Sequence, residues 1–174
     1  MRILLLNGPN LGSLGRRQPE IYGRTTLADI VEACRARALA RGASLDALQS
    51  NHEGVLIDRL EQIDFDAVVI NPGAYGHYSY ALHDALLTAQ RPAVEVHISD
   101  VTRREPWRRV SVIAPATVHQ VIGHGWTGYL EAIDWLLERA APQVRRVREL
   151  RAESRRRSAY SAADAEVGAG LHAD

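Results

Sequence analysis

Four short apolar runs rich in branched side chains recur along the chain: "RILLL" (2–6), "DAVVI" (66–70), "PAVEV" (92–96) and "VSVIA" (110–114). Short runs without alternation are the mark of strands buried on both faces, and parallel sheets covered by helices on both sides bury strands that way. "SLDALQ" (44–49) is a weaker fifth run. Helical patterns fill the gaps. Thr26 is placed to cap a helix over 27–41, with Asp29 three residues on and Gly42 as its stop. Further helical patterns cover 53–63, 79–88, 115–121 and 128–140.

This alternation predicts an α/β three-layer sandwich with right-handed crossovers. A five-stranded parallel sheet in the flavodoxin-like order 2-1-3-4-5 is the expected topology. The 174 residues suit one domain with a substantial core. After Pro142 the texture changes: 143–157 holds seven arginines and two glutamates, and 158–174 is small and polar. The expected organisation is one catalytic domain over 1–142, then an arginine-rich helical extension and a disordered tail over 143–174.

Composition narrows the chemistry. The net charge is zero, which points to neither a nucleic-acid nor a membrane partner. No run approaches a membrane span, and the first residues enter a strand directly, so a cytoplasmic location is expected. The single cysteine, Cys34, excludes an intrachain disulfide and a cysteine-based zinc site. All 21 basic residues are arginine, which excludes a lysine Schiff base and a P-loop lysine. No histidine pair at helical spacing or acidic cluster suggests a metal.

Ligands of an open parallel sheet bind beyond the carboxyl ends of its strands, where strand order reverses. After the first strand lies a long loop, "NLGSLGRRQPEIYG", with Asn10, Arg17 and Tyr22. After the third comes "NPGAYGH", with Asn71 and His77. The fourth ends in "EVHIS", followed by Arg104 and Arg108 in "TRREPWRR". Clustered arginines and amides suit a small, oxygen-rich anion. Glu95 and His97 share a strand face, so the carboxylate can set the histidine tautomer and support its charged form as a general acid. Tyrosine is a poor base at neutral pH. A nearby guanidinium such as Arg17 favours the phenolate. Base, acid and an amide beside a developing oxyanion together describe elimination next to a carbonyl. Glycines at 12, 15 and 23 would let the loop close as a lid. His52, His119, His124 and His172 are assigned to structure or solvent.

"NGPNLGSLGRRQPEIYG", "QSNHEG", "INPGAYGH", "VEVHIS" and "REPWR", in this order and spacing, resemble the type II 3-dehydroquinate dehydratases over about residues 1–141. The resemblance implies a flavodoxin-like subunit in a homo-oligomer, a dodecamer built from trimers. It also implies cofactor- and metal-free dehydration of 3-dehydroquinate to 3-dehydroshikimate in the shikimate pathway, by anti elimination through an enolate. It assigns Tyr22 as base, with Arg17 favouring its phenolate, Asn10 helping to hold the water that stabilises the enolate, and His97 as acid oriented by Glu95. Asn71 with the backbone of Ile98 and Ser99 would hold the substrate carboxylate. His77 and Arg108 would bind ring hydroxyls, Arg104 would help close the site, and Asp84 would reach a neighbouring subunit's site. Asp100, Gly76, Tyr78 and His83 depart from the family pattern. They leave open a modified substrate such as 5-amino-3-dehydroquinate, or a catalytically lapsed homologue that binds a metabolite.

Overall fold

In the computed structural model, β1 (Arg2–Asn7) is buried from Ile3 onward, and its side chains divide between two cores. Ile3 and Leu5 point to one face and Leu4 and Leu6 to the other. Successive strand residues point to opposite sides, so a continuous apolar run needs cover on both. The structure describes residues 1–140, which form one compact unit. The extension expected over 143–174 lies outside the described residues.

After β1 come the short α1 (Pro19–Tyr22), then α2 (Leu27–Ala40), β2 (Ser44–Gln49), α3 (Glu53–Glu61) and β3 (Ala67–Asn71). They are followed by α4 (Tyr80–Ala89), β4 (Ala93–His97), β5 (His119–Ile122) and α5 (Gly128–Trp135). All strand pairs are parallel, in the order β2-β1-β3-β4-β5, as expected. Ile30, Cys34 and Ala38 of α2 and Tyr129 and Ile133 of α5 cover one face. Leu56 and Leu60 of α3 and Leu82 and Leu86 of α4 cover the other.

Local signals set the helix starts. Thr26 Oγ1 accepts from Asp29 N while the Asp29 carboxylate accepts from Thr26 N, a reciprocal capping box. Ser79 Oγ accepts from Leu82 N at the start of α4. The helical pattern over 128–140 divides into α5 and a wider π turn, Leu136–Ala140.

The fifth strand is not where the apolar run places it. Residues 110–113 are a loop outside the sheet, from which Ile113 reaches the core and Val112 packs against it while Val110 stays exposed. Ile113 is fully buried against the α3–α4 side, and Val112 N donates to Gly76 O. The helix expected over 115–121 is replaced by a short 3₁₀ turn, Ala114–Ala116, and then β5. As an edge strand, β5 buries only Val121 fully, so it lacks the apolar density that marks the central strands.

The first strand connects to β2 on one side of the sheet, and β3 lies on its other side. The order reverses at this point, where Asn7 and Asn71 pair in register at the strand ends.

Candidate active site

The loops after β1 and β3 meet closely: a Cβ at Gly8 would lie 2.1 Å from Pro72 O, so only glycine fits. Asn10 follows in the left-handed region at φ 66°. Its N–H donates to Asn51 Oδ1 at 2.9 Å, and Gln49 Nε2 donates to Gly8 O and to the same Asn51 oxygen. Tyr75 Oη donates to Asn51 O. The "QSN" segment therefore latches the start of the long loop, a role its sequence does not disclose. Leu11 and Leu14 anchor the loop in the core. Gly15 and Gly23, both at positive φ, then bracket the segment that presents Arg17 and Tyr22.

A cleft of about 150 Å³ opens at the carboxyl ends of β1, β3 and β4. Of the residues expected from sequence, Asn10, Arg17, Tyr22, Asn71 and His77 line it. So do His97, Ile98, Ser99, Arg104 and Arg108. Glu95 lies behind His97 and is 0% exposed. Asp84 stands apart on the exposed side of α4, where it pairs with His83 Nδ1 at 2.9 Å.

Glu95 Oε1 accepts from His97 Nε2 at 2.8 Å and from Ser111 Oγ at 2.7 Å. Its other oxygen accepts from Gln120 Nε2 at 2.6 Å. A carboxylate only accepts, so His97 carries its proton on Nε2 and keeps Nδ1 for exchange. Ser111 and Gln120 come from the loop before β5 and from β5 itself, which is why sequence spacing does not connect them to Glu95. Gly76 packs against the same carboxylate: a Cβ there would lie 2.8 Å from Pro72 Cγ and 3.3 Å from Glu95 Oε1.

On the long loop, Tyr22 Oη accepts from Arg104 Nη1 at 2.7 Å. The same nitrogen reaches Ser99 Oγ at 3.3 Å. Arg17 lies near the tyrosine ring, with Cζ 5.4 Å from its centroid. The sequence pairs Arg17 with Tyr22 because they share a loop; the fold sets Arg104 on the phenol oxygen.

His77 stacks near His97 with ring centroids 6.0 Å apart, and Trp107 meets its edge at 5.4 Å. Its Nδ1 bonds the Val110 carbonyl at 2.8 Å, which leaves Nε2 as an acceptor. Burial lowers the His77 pKa, with the positive charge of Arg108 and any on His97 adding to the shift; the Val110 carbonyl and Glu95 oppose it. Arg108 stacks over Trp107 at 3.9 Å and pairs with Glu105 at 2.9 Å.

The departures at the cleft have local explanations. Asp100 does not line it: its carboxylate accepts from Thr102 N and Oγ1, which lowers its pKa and caps the turn Val101–Arg103. His119 stacks on Trp135 and His124 pairs with Glu131, both away from the cleft. Beneath the cleft, Asn71 Nδ2 donates to Tyr129 Oη and Asn71 Oδ1 accepts from Gly73 N.

The sequence model of the family described as dehydroquinase class II matches residues 1–137. A 3-dehydroquinate dehydratase of Roseiflexus castenholzii is 55% identical over 139 residues, 79% of this chain and 88% of that one. One of Anoxybacillus flavithermus is 49% identical over 140 residues, 79% of this chain and 95% of that one. The type II dehydroquinase of Butyrivibrio crossotus superposes with a TM-score of 0.77 at 43% identity, covering 78% of this chain and 97% of that one. With this match over its described fold, the chain belongs to the class II dehydroquinase family.

Proposed function

We propose that this chain dehydrates 3-dehydroquinate to 3-dehydroshikimate, using its own side chains as base, acid and anion holder. One arrangement carries the reading: a tyrosine with a guanidinium on its oxygen and a histidine backed by a buried carboxylate line the same cleft.

The substrate has a ring ketone, an acidic C–H beside it, and on the next carbon both a hydroxyl and a carboxylate. Tyr22, as phenolate, takes the proton beside the ketone, and the electron pair moves onto the ketone oxygen as an enolate. The Arg104 donor stabilises the phenolate charge, and Arg17 adds positive potential at the ring. Asn10 helps hold the water that stabilises the enolate. The enolate then collapses, the C–O bond breaks, and His97 gives its proton to the departing hydroxyl, which leaves as water. Glu95 stabilises the imidazolium that donates it.

Asn71 with the N–H groups of Ile98 and Ser99 holds the carboxylate, which puts the leaving hydroxyl on the same carbon beside His97. His77 and Arg108 bind ring hydroxyls. The site is closed by the segment carrying Arg17 and Tyr22 together with Arg104. Asp100 is committed to Thr102 and stays out of the cleft, and the family match favours 3-dehydroquinate over an amino-substituted substrate.

The same reading gives a cytoplasmic oligomer of trimers, with Asp84 directed to a neighbouring subunit. Exposed Tyr78, Tyr80, Leu87, Trp107 and Val110 support a subunit contact of this kind. Among the described residues, no helix is long and apolar enough to cross a membrane. The test is turnover of 3-dehydroquinate followed as enone absorbance, with light scattering for the assembly. A folded protein that does not turn it over refutes the reading.

A further inference from the structure

Asn71 has a neighbour that the elimination never touches. Tyr129, the second residue of α5, is 0% exposed, and its hydroxyl lies between two buried amides. It donates to Asn7 Oδ1 at 2.8 Å and accepts from Asn71 Nδ2 at 2.8 Å. Asn7 and Asn71 are register partners at the ends of β1 and β3, so a single hydroxyl spans the point where the sheet order reverses. Burial holds the Tyr129 pKa well above the ordinary phenol range, so it remains a neutral O–H.

The hydrogen bonds have a direction. Asn7 Oδ1 takes the Tyr129 hydrogen, leaving the phenol oxygen only as an acceptor toward Asn71. Asn71 must therefore turn its NH₂ to Tyr129 and its oxygen to Gly73 N, 3.1 Å away. Contacts of opposite polarity at the two ends of the amide exclude the flipped orientation. One of the two Nδ2 hydrogens is used by Tyr129, and the other remains for the cleft that Asn71 lines. Asn7 Nδ2 is the buried side-chain polar atom without a partner among the described residues, which costs stability. An apolar residue at position 7 would avoid that cost, but would also remove the acceptor that sets the direction of the chain.

We propose that Tyr129 is a positioning residue, which acts through Asn71 to keep an N–H donor facing the substrate's carboxylate. This rests on the functional reading above. A hydroxyl present only for core packing would affect stability without acting through Asn71.

The experiment is a double-mutant cycle on the full-length protein with Tyr129→Phe, Asn71→Ala and the pair, read as KM and kcat for 3-dehydroquinate beside thermal melts. Tyr129→Phe is expected to raise KM about tenfold with kcat within about threefold, because carboxylate binding is shared by ground and transition states. Added to Asn71→Ala, it should change KM by less than about twofold. An unchanged KM in folded Tyr129→Phe, or losses that multiply in the pair, overturns the proposal. Should Tyr129→Phe not fold, Asn7→Ala is the second variant. It removes the acceptor of the Tyr129 hydrogen, so the hydroxyl no longer holds the Asn71 NH₂ in its direction, and KM should rise; an unchanged KM there overturns the proposal equally. Absence of wild-type turnover would overturn the functional reading and this inference with it. Wild-type turnover with a non-coupled cycle overturns the inference alone.

Discussion

Glu95→Gln tests the acid half of the site with little change of shape. The carboxylate accepts from His97 at 2.8 Å, from Ser111 at 2.7 Å and from Gln120 at 2.6 Å. A glutamine can keep its oxygen toward His97 and Ser111 and turn its NH₂ toward Gln120, whose own amide can rotate to accept. The geometry is then retained and the charge is lost. A hydrogen bond to a charged partner is worth about 1 kcal/mol more than its neutral counterpart, which sets the lower bound. Two unit charges about 4 Å apart at an effective dielectric of about 20 interact by about 4 kcal/mol, which sets the upper one. The imidazolium therefore loses about 1–4 kcal/mol of support, and kcat should fall roughly 5- to 1,000-fold. KM should stay within about threefold, because Glu95 lies behind His97 and out of the cleft. The folded protein should be about as stable, since removing a buried charge offsets the weakened bonds. In deuterated water, NMR should show exchange of the substrate's acidic proton outlasting dehydration, because Tyr22 still works. A kcat within threefold of wild type, or exchange falling in step with product, refutes separate acid and base roles.

Tyr22→Phe removes the phenol oxygen and should lower turnover by ~10²–10⁴ while the protein still folds; more than a tenth of wild-type turnover argues against Tyr22 as base. Arg104→Met should cost more in kcat than Arg17→Met, because Arg104 alone bonds the phenol oxygen; the reverse order in steady-state kinetics would return that role to Arg17. Burial lowers the pKa of His77, so the unfolded chain binds the proton more readily and stability is lost as pH falls through the ordinary histidine range near 6.5. Thermal melts of His77→Asn should show a shallower loss on the acid side, and an identical slope refutes the assignment.

Much of this molecule is legible without coordinates. Continuous branched runs at 2–6, 66–70 and 92–96 must be covered on both faces, and helical patterns between them allow little but a parallel α/β sheet. Because parallel strands deliver their following loops to one edge, Tyr22, Asn71, His77 and His97 could be assigned to one site. Glu95 and His97 could be paired by the two-residue period of a strand alone.

What the sequence left unresolved depends on contacts between distant segments. The run at 110–114 supplies a core side chain from a loop, while the true edge strand buries too little to announce itself. Arg104 on Tyr22 is a contact across 82 residues, and Tyr129 on Asn7 one across 122. Pattern reading cannot find such pairs, because side-chain period reports which face is buried and not which distant partner covers it. The sequence determined the layers, the edge that carries the chemistry and the types of group present. Which arginine touches the base, and which buried hydroxyl orients the amide, was decided only when the folded sheet brought those residues together.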